Sequence, residues 1–195
     1  MQPIKNILPP IVDEQTRVFI VGSMPGKQSL EKQQYYGNPR NHFWPIIGEL
    51  FQIAIPENYE ERIALLRSKK IGLWDSIASC ERKGSLDATI KNEVPNDFET
   101  LFETYPQIQL VLFNGGKSFD VFKKHVGLEV LEKRSYEKMP STSPIPGKNI
   151  KSLTGIEYFV NVTSLHCLKN QLTSLDVSKN TALVFLNCGS NQLTS

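Results

Sequence analysis

Three short apolar runs constrain this chain more than any other feature of it. RVFIVG at 17–22, IGLWDSI at 71–77 and IQLVLFNG at 108–115 are almost unbroken in their apolar character, and two of them end in glycine. A strand with one wet face alternates apolar and polar residues, so continuous runs of this length belong to strands buried on both faces, the usual condition of a parallel sheet. Helical segments separate them. From Asn41 to about Phe51 the apolar spacing is helical, with Pro45 tolerable only in the first turn. The segment at 58–69 places Ile63, Leu65 and Leu66 on one face, with acids early and bases late as the helix dipole favours. NDFETLFETY has helical period, a further helix begins near Lys117, and EVLEKRSY reads as the next strand. The alternation implies an α/β fold of three layers, α/β/α, with a largely parallel central sheet that binds ligands beyond its strand C-termini. GSMPG and FNGG fall at those ends.

After Gly147 the pattern changes. Leu165, Leu175 and Leu186 recur ten and eleven residues apart, each opening a similar phrase, and Asn170, Asn180 and Asn191 follow at matching offsets. This fits a leucine-rich pattern in which leucines fill a short solenoid and asparagines close its turns. Two domains are expected: residues 1–150, and a truncated leucine-rich repeat segment at 151–195.

Composition excludes several classes. The net charge of +2 argues against binding nucleic acid by bulk electrostatics, so any DNA contact must be local and shape-driven. No run approaches the ~20 apolar residues of a membrane span and the N-terminus has no long apolar segment behind basic residues, so a cytoplasmic protein with no membrane partner is expected. Cys80, Cys167 and Cys188 are odd in number and lack ligand spacing, which suggests neither a disulfide framework nor a zinc site. GSMPG lacks the spacing of a nucleotide-triphosphate loop or a dinucleotide site.

Candidate chemistry clusters in four motifs. GSMPG, residues 22–26, is a glycine-bounded turn that lets main-chain amides approach a ligand. QQYYGNPRNHFW, residues 33–44, sets two tyrosines and polar side chains before an aromatic pair, and such rings can stack on a planar heterocycle. Core packing accounts for Phe43 and Trp44. Asn41 can equally cap the following helix, and Asn114 of LFNGG can equally be a turn asparagine. Asp75 and His42 could form an acid–base pair, although a helix N-terminal acid and a surface imidazole are simpler readings. Arg40, Lys27 and Lys117 could touch phosphates.

Taken in order, GSMPG, YYGNPRNHFW, LFNGG and MPSTSP resemble the uracil-DNA glycosylase superfamily, particularly its hypoxanthine-DNA glycosylase branch, over about residues 15–148. GLWDSIASCERKGSLD at 72–87 looks typical of that branch. The resemblance implies hydrolysis of the N-glycosidic bond of a deaminated base flipped out of DNA, with no metal or organic cofactor. It implies that Asn41 orients the attacking water or holds the sugar, that Tyr36 stacks on the base, and that Asn114 contacts the base. Gly22, Ser23 and Met24 would line the base, while Ser141, Thr142, Ser143 and Pro144 would form the loop that holds DNA.

Three departures accompany it. Met24 stands where mismatch-specific relatives carry a water-activating asparagine. The 141–144 loop has no histidine to stabilise a departing base anion. The final helix of the family gives way to the repeats, which could bind a protein partner. A non-catalytic interaction protein on a degenerate scaffold is the alternative reading.

Overall fold

The computed structural model describes residues 3–144, 152–168 and 170–194. The chain divides into two compact units, Met1–Pro144 and Ile145–Ser195. In the first, a short strand β1 (Ile4–Lys5) precedes β2 (Val18–Gly22), α1 (Lys27–Lys32), α2 (Phe43–Phe51), α3 (Tyr59–Ser68), β3 (Ile71–Asp75), β4 (Ile77–Glu81), β5 (Lys91–Pro95), α4 (Phe98–Thr104), β6 (Leu110–Asn114), α5 (Gly116–His125) and β7 (Ser135–Met139).

The strands β3-β2-β6-β7 form a four-stranded sheet in that order, and every pair in it is parallel. Its two faces explain the apolar runs. Phe19, Val21, Val111 and Phe113 point to one side, where they join Phe98, Leu101 and Phe102 of α4 and Phe122 of α5. Ile71 and Leu73, with Val18 and Ile20, point to the other, against Phe43, Trp44 and Ile47 of α2 and Leu66 of α3. Successive residues of β2 thus serve opposite cores, as a two-residue side-chain period requires. Helices cover both faces, giving three layers with a parallel central sheet.

Two expectations are corrected. IGLWDSI is not one strand: β3 stops at Asp75, and Ile77 opens β4 in a separate antiparallel sheet of order β1-β4-β5. At the break the Ser76 and Ile77 amides follow the end of β2, donating to Gly22 O and Ser23 O at 2.8 and 3.1 Å. The β4–β5 pairing carries register shifts on both sides of Ser79, irregularities that re-aim side chains next to the ligand edge. EVLEKRSY is not a strand either. Its first part is a short helical turn, Glu129–Leu131, that buries Leu131 in the core, and the strand begins only at Ser135.

The second unit contains a helical turn at Ile156–Tyr158 and two parallel strands, β8 (Ser164–His166) and β9 (Phe185–Asn187). The register pairs Leu165 with Leu186, twenty-one residues apart. Leu172, Cys167 and Asn180 are buried. Asn180 Nδ2 donates to Ile156 O and Phe159 O at 2.7 and 3.0 Å, and Asn191 Nδ2 donates to Cys167 O and Cys188 O, both at 2.8 Å. Asn191 Oδ1 also accepts from Leu172 N at 3.1 Å.

Candidate active site

Parallel strands deliver their last residues to one edge of the sheet, and there Gly22 lies in register with Asp75, and Asn114 with Met139. The loops that follow β2, β6 and β7 meet at this edge. Thr142 joins them. Its amide donates to Asn114 Oδ1 at 2.9 Å, its hydroxyl Oγ1 accepts from Asn114 Nδ2 at 2.9 Å, and its carbonyl accepts from His42 N at 3.0 Å. One residue of the C-terminal motif therefore ties the end of β6 to the entrance of α2.

Asn114 also donates from Nδ2 to the Tyr36 hydroxyl at 2.8 Å, so both of its amide protons are engaged. Its Oδ1 has accepted one hydrogen bond and retains a second lone pair. Tyr36 has φ of +54°, a left-handed conformation that non-glycine residues rarely adopt. Its ring stacks on Phe43 at 3.9 Å between centroids and 14° between planes. Burial pushes the Tyr36 phenol well above its ordinary range, with the Asp75 charge adding to the effect. Tyr35 is a packing residue whose hydroxyl donates to Leu8 O or Pro9 O.

Asn41 lies at the same entrance, half-buried, with Oδ1 accepting from Phe43 N at 2.9 Å. The cap position itself is held by His42, so Asn41 closes a turn one residue ahead of it rather than capping α2. Among the described residues Nδ2 has no hydrogen-bond partner, and one Oδ1 lone pair remains, so the side chain still offers a donor and an acceptor.

The first motif is held from behind. Ser23 Oγ donates to Asp87 Oδ2 at 2.8 Å, Lys27 N donates to Ser85 Oγ at 3.0 Å, and Arg82 Nη2 donates to Pro25 O at 2.6 Å. Met24 turns its side chain into a third cluster with Ile77, Cys80, Ile90 and Val121, so what it can offer a ligand is its main chain. Arg82 and Asp87 escaped the sequence reading because nothing in ERKGSLD signals that its loop returns to brace GSMPG.

Asp75 also escaped as a strong candidate. It is not a helix acid but the last residue of β3, 5% exposed, with Oδ2 accepting from Asn6 Nδ2 at 3.2 Å. Burial pushes its pKa up to about 7, helped by Asp87 and opposed by the Asn6 hydrogen bond and Arg82. The available signal was a charged residue closing an otherwise apolar strand at the ligand edge.

Among the described residues no group of three or more His, Cys, Asp or Glu could hold a metal ion, and no helix is long and apolar enough to cross a membrane. A surface depression of about 580 Å³ bounded by Val12–Gln15, Thr104 and Tyr105 lies at the opposite end of the sheet, before β2 and β6 begin. Ligands of parallel sheets bind at the other end, where Asn114 and Thr142 meet.

A family model for the uracil DNA glycosylase superfamily matches residues 9–164. A curated hypoxanthine DNA glycosylase of Methanosarcina barkeri (strain Fusaro / DSM 804) is 44% identical over 115 residues, covering 58% of this chain and 73% of the relative. Its counterpart in Methanosarcina acetivorans is 43% identical over 120 residues, covering 59% and 73%. A solution NMR structure of a candidate uracil DNA glycosylase from Methanosarcina acetivorans is similar with a TM-score of 0.61 at 36% identity, covering 70% of this chain and 83% of that one.

Proposed function

This chain belongs to the uracil DNA glycosylase superfamily and is a hydrolytic DNA glycosylase, and we propose that the base it removes first is hypoxanthine, with uracil or mismatched thymine second. The observation that carries the reading is the meeting of Tyr36, Asn114 and Thr142 at the sheet's C-terminal edge, with Asn41 one residue from His42, whose amide is held by Thr142 O.

Each side chain has a role that its geometry supports. A deaminated base pairs poorly, so extruding it from the duplex costs only a few kcal/mol. The Tyr36 ring, backed by Phe43, stacks on it. The free lone pair of Asn114 Oδ1 accepts the ring N–H of hypoxanthine, or that of uracil, while its amide protons keep Tyr36 and Thr142 in place. As the C1′–N bond lengthens, positive charge develops on the sugar. Asn41 orients the water that adds to C1′, donating from Nδ2 and accepting at Oδ1, and the product is an abasic site. Gly22 and Ser23 shape the base slot with their main chain. Ser141 to Pro144, fixed through Thr142, holds the DNA backbone.

The test is alkaline strand cleavage of duplexes containing one deoxyinosine, deoxyuridine or mismatched thymine. Wild type should cut the deoxyinosine duplex fastest, and Asn41→Ala should lose about 100-fold or more in rate. Full activity in Asn41→Ala would remove that residue from the chemistry, and inactivity on all three duplexes would remove the substrate assignment. The non-catalytic alternative is not favoured, because the named relatives are glycosylases.

For residues 151–195 we propose a short leucine-rich repeat that binds a protein partner, following a glycosylase domain at 1–150. The twenty-one-residue strand register and the turn-closing hydrogen bonds of Asn180 and Asn191 support it. A cytoplasmic location is part of the same proposal, which fractionation of producing cells checks.

A further inference from the structure

A carboxyl group that is almost wholly buried with a single hydrogen bond is costly, because the protein interior solvates its charge poorly and buried charges are normally paired. Asp75 is such a group. Oδ2 accepts from Asn6 Nδ2, Oδ1 accepts no hydrogen bond, and the residue makes no ion pair among the described residues. The nearby Arg82 directs its guanidinium to the carbonyls of Pro25 and Met24 instead. The unpartnered oxygen faces a definite place. A Cβ at Gly22 would collide with Asp75 Oδ1 and would stand 3.6 Å from the Tyr36 hydroxyl, so only a residue without a side chain at the end of β2 lets the carboxyl oxygen pack there, on the side of the tyrosine. Asn114 reaches the same tyrosine from β6 through its hydrogen bond to that hydroxyl.

We propose that Asp75 is the proton donor to the departing base, delivering its proton from Oδ1 to a ring nitrogen of hypoxanthine as the glycosidic bond breaks. This rests on the glycosylase reading of the same site and adds a residue to it. The electron pair of the C1′–N9 bond passes into the purine, the O–H bond of Asp75 breaks, and a new N–H bond forms on the base. Water adds to C1′ and gives up a proton, which restores the carboxyl directly or through solvent. The sum is nucleoside plus water giving free base plus abasic sugar. A donor is needed because the 141–144 loop carries no histidine and Asn114 has both amide protons engaged elsewhere. Uracil depends on it less, since its leaving anion is spread over two carbonyl oxygens.

The groups around Asp75 keep it protonated near neutrality. Asp87 opposes its ionisation, Arg82 favours it, and the phenols of Tyr35, Tyr36 and Tyr59 are neutral over the relevant range. Single-turnover excision of deoxyinosine should therefore hold level up to about pH 7 and fall about tenfold per unit above it. Asp75→Asn should be about 100-fold slower at pH 6 and lack the alkaline fall. On deoxyuridine the same variant should lose less than about tenfold.

A wild-type rate that stays level above neutrality overturns the proposal, as does an Asp75→Asn variant that keeps the wild-type rate or the same alkaline limb. An arm independent of the variant's folding uses wild-type protein on 7-deaza- and 3-deaza-deoxyinosine, each lacking one acceptor nitrogen. One of the two should be cut about 100-fold more slowly than deoxyinosine, and undiminished cutting of both overturns the proposal. Wild-type inactivity on deoxyinosine, deoxyuridine and mismatched thymine alike sinks the glycosylase site and this proposal together. Normal activity with any of the adverse results above sinks only the role of Asp75.

Discussion

The two units of this chain are held together by different chemistry. The first fills its interior with phenylalanine: Phe19, Phe98, Phe113 and Phe122 are fully buried around one face of the sheet, in edge and tilted contacts at about 5–6 Å. The second has one fully buried leucine, Leu172, and leaves Tyr158, Val184 and Phe185 largely exposed. Its turns are closed by asparagine amides that satisfy main-chain carbonyls. Stability in the first unit therefore scales with buried apolar area. In the second it depends on a few hydrogen bonds whose loss leaves polar groups orphaned. A densely packed first unit suits the proposed site, in which several side chains keep their places around one base.

The largest effect should come from the aromatic core. Phe113→Ala removes a ring that touches Phe119, Phe122 and Tyr136, and should cost about 3–5 kcal/mol. Both tryptophans, Trp44 and Trp74, lie in the first unit, so chemical denaturation followed by tryptophan fluorescence reads that unit alone. The alkylation rate of buried Cys167, followed by mass spectrometry in water, should stay unchanged if the two regions are energetically separate. A parallel rise in Cys167 labelling would break the comparison.

Asp75 tests the same packing from the side of charge. Its folded pKa is raised from the ordinary 3.8 to about 7, so between those values the folded protein keeps a proton that the unfolded chain has released. The stability it contributes is full below about pH 4 and is lost as pH rises through 7. Three units correspond to about 4 kcal/mol at most. Asp75→Asn should therefore match wild type near pH 4 and exceed it by a few kcal/mol at pH 8, in fluorescence-monitored urea melts. A more stable variant that is also the slower enzyme would show a polar group retained at a cost to the fold. Equal stability at both pH values would mean that Asp75 is better solvated than its burial implies.

What could be read from the sequence follows from these differences. The strands β2, β3 and β6 were legible because burial on both faces writes an unbroken apolar run. Strand β7, SYEKM, was not, since all five residues are exposed and only main-chain pairing to β6 makes it a strand. Strand β5, KNEVP, likewise buries no residue fully and is made a strand by its pairing with β4. Asn41, Tyr36, Asn114 and Thr142 were named from their motifs, but local pattern does not reveal that Asn114 is clasped by Thr142, twenty-eight residues on. Asp75 was undervalued because its significance depends on Gly22 across the sheet and on Asn6, sixty-nine residues earlier. Leucine spacing shows steps of ten and eleven residues, and which of those leucines face each other across paired strands, Leu165 and Leu186, is a long-range property that spacing does not reveal.

In the second unit the sharpest probe is Asn191. Replacing it by alanine removes the donor shared by Cys167 O and Cys188 O and the acceptor for Leu172 N. Leaving such groups unsatisfied costs about 1–3 kcal/mol. Cys167 should label several-fold faster in Asn191→Ala, while tryptophan fluorescence and glycosylase rate stay at wild-type values. Unchanged labelling would mean that Leu172, rather than the asparagine, holds the coil.

The smallest effect separates two uses of one residue type. Asn58 caps α3, accepting from the amides of Glu60 and Glu61 at 2.8 and 3.2 Å, and Asn41 accepts from Phe43 N at the start of α2. A cap such as Asn58, or a single acceptor at a helix entrance such as Asn41, is worth about 1 kcal/mol, far less than Phe113 and at the lower end of what Asn191 contributes, because a helix end is wet and water replaces the lost acceptor. Asn58→Ala and Asn41→Ala should then lower the urea midpoint by similar small amounts. Only the second should slow base excision, because only Asn41 has an unengaged Nδ2 at the ligand edge of the sheet. If the two variants lost activity in equal proportion to their stability, Asn41 would be a turn residue and nothing more.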